Sequence, residues 1–278
     1  MKVKIAKEAG FCFGVKRAMI MAWDELELNS DIYALGPLIH NKQAVQRYED
    51  KGLATVDTIN DIPNDKSVII RSHGVSSDIY DKANSNNLNI IDTTCPFVKK
   101  IHNIVKEFYE KGYKIIIIGD KKHPEIIGIN GWCENSALIV KSIDDVNSLN
   151  LDNNSKYCLV AQTTLNLELY NEIVNILSKK LDNITFKNTI CSATKTRQQA
   201  AKELSVDVDC MIVIGGKHSS NTQKLVNICK EQVPTFAIET KEDLDIDKLN
   251  KFNLIGVTAG ASTPDWIIED VISFIESL

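Results

Sequence analysis

The seven cysteines of this 278-residue chain include no Cys-x2-Cys pair, which argues against a zinc ribbon or finger. The closely spaced cysteine run of ferredoxins is absent too. So is the Gly-x-Gly-x-x-Gly fingerprint, and with it any sequence sign of an NAD(P) or flavin cofactor. No apolar run approaches the roughly 20 residues that a membrane-spanning helix needs. Lysine and arginine are scattered and the net charge is −5, so neither a nucleic-acid footprint nor an anionic-membrane surface is expected. The odd number of cysteines, irregularly spaced, resembles no secreted disulfide framework. The first motif begins within a dozen residues of Met1, with no sign of a signal or transit peptide before it. A reducing cytoplasm is the expected compartment.

What is present is an ordinary globular composition, 44% hydrophobic and 25% charged. The stretch Asp92-Thr-Thr-Cys95-Pro-Phe-Val-Lys99 reads as a strand end, a turn that presents Cys95, and a helix starting at Pro96. Proline suits the first helical turn, whose N–H groups have no intrahelical partner. Cys95 would face those N–H groups and the positive end of the helix dipole, which favour a thiolate.

The same device occurs three times. Cys12-Phe-Gly-Val-Lys, Cys95-Pro-Phe-Val-Lys and Cys191-Ser-Ala-Thr-Lys share the pattern Cys-x-x-(Val/Thr)-Lys. Each is followed by a helical stretch, an apolar strand and a polar loop with a histidine. His40, His123 and His218 stand 28, 28 and 27 residues after their cysteines. A further polar loop follows a later strand in each round, at His73, Thr163 and Ser262. Runs such as Lys114–Ile118 and Cys210–Ile214 are continuously apolar, as in parallel strands buried on both faces. The expected fold is α/β, with three pseudo-threefold related lobes and short, mostly parallel sheets. The lobes are 13–94, 95–190 and 191–278. The third lacks a final strand, and residues 1–12 are expected to return and complete it. Ligands bind beyond the carboxyl ends of strands in such sheets, so the polar loops are expected around one central cavity.

Three thiolates from three lobes suggest a metal or a cluster. A [4Fe–4S] cluster held by three cysteines leaves one iron open, much as catalytic zinc keeps one position for substrate. Around it the sequence offers His40, His73, His123 and Glu125. Hydroxyls are available at Thr163, Thr164, Thr194, Ser219, Ser220 and Ser262, and an amide at Asn221. Ser219-Ser220-Asn221 and Ser262 precede or open helices, where free N–H groups suit a phosphate or diphosphate.

This motif set resembles the 4-hydroxy-3-methylbut-2-enyl diphosphate reductase family. The resemblance runs through Gly-Phe-Cys12-Phe-Gly-Val, His40-Asn41, Ser72-His73-Gly74-Val75 and Asp92-Thr-Thr-Cys95-Pro. It continues through His123-Pro-Glu125, Gln162-Thr163-Thr164, Cys191-x-x-Thr194-x-x-Arg197-Gln198, Ser219-Ser220-Asn221 and Gly260-Ala-Ser262. It implies three lobes around a central [4Fe–4S] cluster held by Cys12, Cys95 and Cys191. It also implies reductive dehydroxylation of an allylic diphosphate to isopentenyl and dimethylallyl diphosphates, the last step of the methylerythritol phosphate route. The substrate hydroxyl would meet the open iron. Glu125 would donate the proton, Thr163 would orient the oxygen, and His123 would assist. His40, His73, His123, Thr164, Thr194, Ser219, Ser220, Asn221 and Ser262 would hold the substrate, chiefly its diphosphate. The family's electron donor is a ferredoxin or flavodoxin.

Each residue also has a plainer reading. His40 and His123 could cap helices, and a carboxylate such as Glu125 is favoured in any first helical turn. Ser219 and Ser262 are good helix caps. His218 is left outside the site, since the family does not fix a histidine there. Cys133, Cys158, Cys210 and Cys229 read as structural. The rival functions are a zinc-dependent hydrolase of a phosphorylated substrate and a non-enzymatic, cluster-carrying redox sensor.

Overall fold

The computed structural model describes residues 1–278. Twelve strands form three four-stranded sheets, and every paired strand is parallel to its neighbour. The chain opens with β1 (Lys2–Ile5). Next, β2 (Ile32–Leu35), β3 (Ala54–Val56), β4 (Ser67–Ile70) and β5 (Asn89–Asp92) make a sheet of order β3-β2-β4-β5. Then β6 (Lys114–Ile118), β7 (Leu138–Val140), β8 (Tyr157–Ala161) and β9 (Ile184–Phe186) repeat that order as β7-β6-β8-β9. Finally β10 (Cys210–Ile214), β11 (Thr235–Ile238) and β12 (Leu254–Ala259) join β1 in the order β1-β12-β10-β11. The strand missing from the third round is β1, with Lys2 to Ile5 facing Leu254 to Val257.

By internal contact the chain divides into two compact units. One comprises Met1–Lys16, Ile39–Lys51 and Ser192–Leu278, and contains the β1-β12-β10-β11 sheet. The other comprises Arg17–Leu38 and Gly52–Cys191, and contains the other two sheets.

The apolar runs explain why the central strands are buried on both faces. Side chains alternate across a strand with period two. Ile116 and Ile118 join one core with Leu159, Ile173 and Leu177. Ile115 and Ile117 join another with Val160, Ile101 and Ile126. In the third sheet Ile212 and Ile214 face one core, and Met211 and Val213 face the other. Burying each such side chain contributes about 1.5–3 kcal/mol relative to leaving it exposed. Helices pack against these faces, among them Pro96–Glu110, Leu167–Lys180, Ser220–Lys230 and Asp265–Ser277. No helix is long and apolar enough to cross a membrane.

The second strand of each round, β3, β7 or β11, lies at one edge of its sheet. At three residues β3 is too short to show a strand period in the sequence. It is only partly buried, and it takes its conformation from pairing with Tyr33–Leu35 of β2.

Candidate active site

The loops of interest leave the carboxyl ends of parallel strands. Three glycines mark one set. The N–H groups of Gly36, Gly119 and Gly215 each donate, at 2.8 Å, to the last carbonyl of the neighbouring edge strand: Val56, Val140 and Ile238. Four residues beyond these glycines stand His40, His123 and Ser219. The repeat therefore has a constant 28-residue step from Cys12, Cys95 and Cys191, and its third member is Ser219. His218, matched by counting histidines, is one residue out of register.

The later loops shift in the same way. The backbone N–H of Cys95 donates to Ser72 O and that of Cys191 to Thr163 O, each at 3.0 Å. In the other unit, the N–H of Cys12 donates to Ala261 O at 3.3 Å. These bonds make Ser72, Thr163 and Ala261 equivalent. The counterpart of His73 and Ser262 is thus Thr164, one residue past Thr163.

In the larger unit, Glu125 lies in the first turn of the helix Pro124–Asn130 and is 3% exposed. The Thr163 amide donates to its Oε1 and the Thr163 hydroxyl to its Oε2, both at 2.7 Å. His123 is the N-cap of that helix, and its Nδ1 accepts from the Glu125 amide at 3.1 Å. An accepting Nδ1 leaves the proton of a neutral ring on Nε2. The rings of His73 and His123 meet edge to face, with centroids 5.6 Å apart. Backbone contact between their loops needs glycine. A Cβ on Gly131 would lie 2.0 Å from Ser76 Cβ, and one on Gly128 would lie 3.3 Å from Gly74 O. Gln162 spans to both neighbours, with Nε2 donating to the Thr164 hydroxyl at 3.2 Å and Oε1 accepting from the Asp120 amide at 3.3 Å.

Cys95 is set in a dense polar turn. Asp92 accepts from the Thr94 amide at 2.9 Å and pairs with Lys99 at 2.7 Å. Burial pushes the Asp92 carboxyl up, but the donors from Lys99 and Thr94 outweigh it and hold its pKa below the usual value. Arg17 Nη1 donates to the carbonyls of Thr93 and Thr94 at 3.5 and 3.4 Å.

In the smaller unit, Ser219 caps the helix Ser220–Lys230, its side chain accepting from the Thr222 amide at 3.3 Å. Asn221 is 4% exposed, and neither its amide nitrogen nor its amide oxygen has a partner within the chain. That is costly for a buried amide unless a ligand completes it. His40 precedes the helix Lys42–Glu49, which is capped by the Asn41 side chain accepting from Ala44 N. Gly216 lets the His40 backbone approach, since a Cβ there would lie 2.4 Å from His40 O. Ser262 follows β12 in a turn whose Thr263 hydroxyl donates to Ile214 O at 3.0 Å. Thr194 is buried on the helix Ser192–Ser205.

The seven thiols divide by environment. None is in a disulfide. Cys12, Cys95 and Cys191 are half-exposed and adjoin helix starts. Cys133, Cys158, Cys210 and Cys229 are buried, and burial pushes the last three up to about 12. Those three keep their protons and make poor ligands.

A family model described as LytB protein matches residues 3–276. The chain belongs to the LytB family. The 4-hydroxy-3-methylbut-2-enyl diphosphate reductase of Clostridioides difficile is 66% identical over 279 residues, covering both chains in full. That of Alkaliphilus oremlandii is 52% identical, again over the full length of both. Among solved structures, the E-1-hydroxy-2-methyl-but-2-enyl-4-diphosphate reductase of Plasmodium falciparum superposes with a TM-score of 0.93 at 34% identity. That match covers all of this chain and 87% of the other. A second reductase structure, described as the terminal enzyme of the non-mevalonate pathway, gives a TM-score of 0.74 at 39% identity.

Sequence reasoning misses Thr93 and Thr189, whose hydroxyls donate to Ile70 O at 2.6 Å and Ala161 O at 2.5 Å. Their visible signal is their place, two residues before Cys95 and Cys191.

Proposed function

We propose that the chain is a 4-hydroxy-3-methylbut-2-enyl diphosphate reductase. It replaces the substrate's hydroxyl by hydrogen with two electrons and two protons, releasing water and giving isopentenyl and dimethylallyl diphosphates as the last step of the methylerythritol phosphate route. Family membership supports the reaction, and the pairing of Glu125 with Thr163 carries the assignment of the acid.

The donor chemistry fits a [4Fe–4S] cluster on Cys12, Cys95 and Cys191. These are the three half-exposed thiols, and each adjoins a helix start. When bound, such a cluster supplies electrons singly and one iron without a cysteine ligand. A C–O bond breaks readily only if its oxygen leaves protonated. The Thr163 hydroxyl donates to Glu125 Oε2 here; when Glu125 takes up a proton the bond reverses, Oε2–H donating to Thr163 Oγ1 while the Thr163 hydroxyl turns and passes its own proton to the leaving oxygen. The amide of Thr163 on Oε1 holds the carboxyl in one orientation throughout. His123, with Nδ1 occupied by its own helix, offers Nε2–H to the diphosphate beside His73. His40, Thr164, Thr194, Ser219, Ser220, Asn221 and Ser262 complete the substrate contacts. The partnerless amide of Asn221 is the observation that favours a polyanion there. The three lobes are 13–94, 95–190 and 191–278 with 1–12. A cytoplasmic ferredoxin or flavodoxin supplies the electrons.

The test is anaerobic purification followed by metal analysis and turnover. About four iron and four sulfide per chain, with reductant-driven conversion of the hydroxylated diphosphate, is the expected result. A colourless protein with stoichiometric zinc overturns it in favour of a hydrolase. A cluster without turnover makes the chain a sensor.

A further inference from the structure

Arg197, on the helix Ser192–Ser205, is 2% exposed. A guanidinium so buried must find acceptors for its donors. It finds them on the backbone. Nε donates to Glu8 O at 2.7 Å, Nη2 to Gly10 O at 2.9 Å and Nη1 to Ala193 O at 3.4 Å. Two of these carbonyls lie four and two residues before Cys12.

Cys95 and Cys191 are fastened differently at the same place. Two residues before each is a threonine whose hydroxyl donates to a strand-end carbonyl, Thr93 to Ile70 O at 2.6 Å and Thr189 to Ala161 O at 2.5 Å. Two residues before Cys12 is Gly10, which has no hydroxyl to give. A threonine does not fit there, because φ is +94° and a Cβ would lie 2.9 Å from Ile268 Cδ1. The Gly10 amide reaches Ala259 O only at 3.5 Å, where the corresponding bond from Thr93 to Ile70 O is 3.0 Å. Glu8 also has a positive φ, +63°. The segment therefore bends twice through left-handed conformations, and Arg197 grips the carbonyl at each bend.

We propose that Arg197 is a positioning residue for Cys12, its buried guanidinium replacing the threonine latch used at Cys95 and Cys191. This rests on the three-cysteine cluster proposed above. A buried cation beside one ligand turn also favours the electron-rich state of that cluster.

The experiment compares wild type, Arg197→Gln and Arg197→Lys, anaerobically reconstituted with iron and sulfide. Iron loss to a chelator, the reduction midpoint, and backbone hydrogen exchange of the apo proteins are read. Arg197→Gln is expected to lose iron about tenfold faster or more, the usual size of an outer-shell effect on a metal site. Its midpoint moves negative, and exchange rises at residues 6–12 but not at 92–95. Arg197→Lys keeps the charge without the fork, so its midpoint returns toward wild type while residues 6–12 stay loosened. Wild-type iron loss and midpoint in Arg197→Gln overturn the proposal, as does exchange that rises equally at both turns. If Arg197→Gln fails to melt cooperatively, Arg197→Lys decides, since wild-type exchange at residues 6–12 in that variant overturns the latch. If wild type binds no iron, the cluster reading fails, and the exchange comparison still judges the latch.

Discussion

Thr163 grips Glu125 with two donors at once, its amide on Oε1 and its hydroxyl on Oε2, both at 2.7 Å. A glutamine at 125 can keep its carbonyl on the amide, but its NH2 then faces the hydroxyl and no acidic proton remains. Glu125→Gln is expected to retain iron and substrate affinity while kcat falls about 10²–10⁴-fold, the usual worth of a positioned acid. Single-turnover conversion under a chemical reductant checks it. Turnover at the wild-type rate removes Glu125 as the acid.

The thiols separate into two groups that iron analysis can distinguish. Cys12→Ser, Cys95→Ser and Cys191→Ser are each expected to lose most of the bound iron. Cys158→Ala, Cys210→Ala and Cys229→Ala are expected to keep it. Those three thiols are fully buried and held near a pKa of about 12 by burial. Removing one leaves a small void, and a stability loss of about 1 kcal/mol is expected from the lost packing. Full iron in any of the first group counts against the three-cysteine scheme.

Two glycine substitutions separate packing from backbone strain. Gly131→Ala would set its Cβ 2.0 Å from Ser76 Cβ and 2.8 Å from Ser76 Cα, so helix and loop must part. That helix carries Glu125 and that loop carries His73. A destabilisation of about 1–3 kcal/mol, typical of overpacking, is expected, together with a clear fall in kcat. Gly112→Ala meets nothing within 4 Å but has a φ of +79°. It is expected to lose about 1 kcal/mol for the left-handed backbone and to keep wild-type turnover. Chemical denaturation and kinetics on both variants decide, and equal kcat in the two denies the coupling.

The parts of this architecture legible in the sequence are those built from local pattern. Lys114–Ile118 and Cys210–Ile214 read as buried parallel strands because both faces of such a strand are apolar. The cysteine turns read as helix starts because Pro96 and the shared Cys-x-x-(Val/Thr)-Lys pattern are local too. Register was less legible. Counting histidines selected His218, whereas the strand-end glycine Gly215, bonded to Ile238 O, makes Ser219 the third member. Ala54–Val56 escapes the pattern because three residues, one exposed and two half-buried, carry almost no periodic signal. Arg197 has no local signal, because its bond to Gly10 O closes over 187 residues of sequence.

His102 sets a pH dependence of stability that does not involve the reaction. Its ring is 2% exposed and stacks on Trp132, with centroids 5.1 Å apart and planes 22° from parallel. Burial pushes its pKa down from 6.5 to about 4, with Asp92 raising it and Lys99 lowering it by less. The folded value thus lies below the unfolded one. The contribution is complete above pH 6.5 and is lost as pH falls toward 4, because only the unfolded chain takes up the proton in that window. The slope reaches about 1.4 kcal/mol per pH unit. Between pH 6.5 and 5 the wild-type protein is therefore expected to lose about 2 kcal/mol more than His102→Phe, which keeps an aromatic ring against Trp132 and cannot titrate. Denaturant unfolding of the two apo proteins across that range measures the difference. Parallel curves would assign the acid sensitivity to other groups.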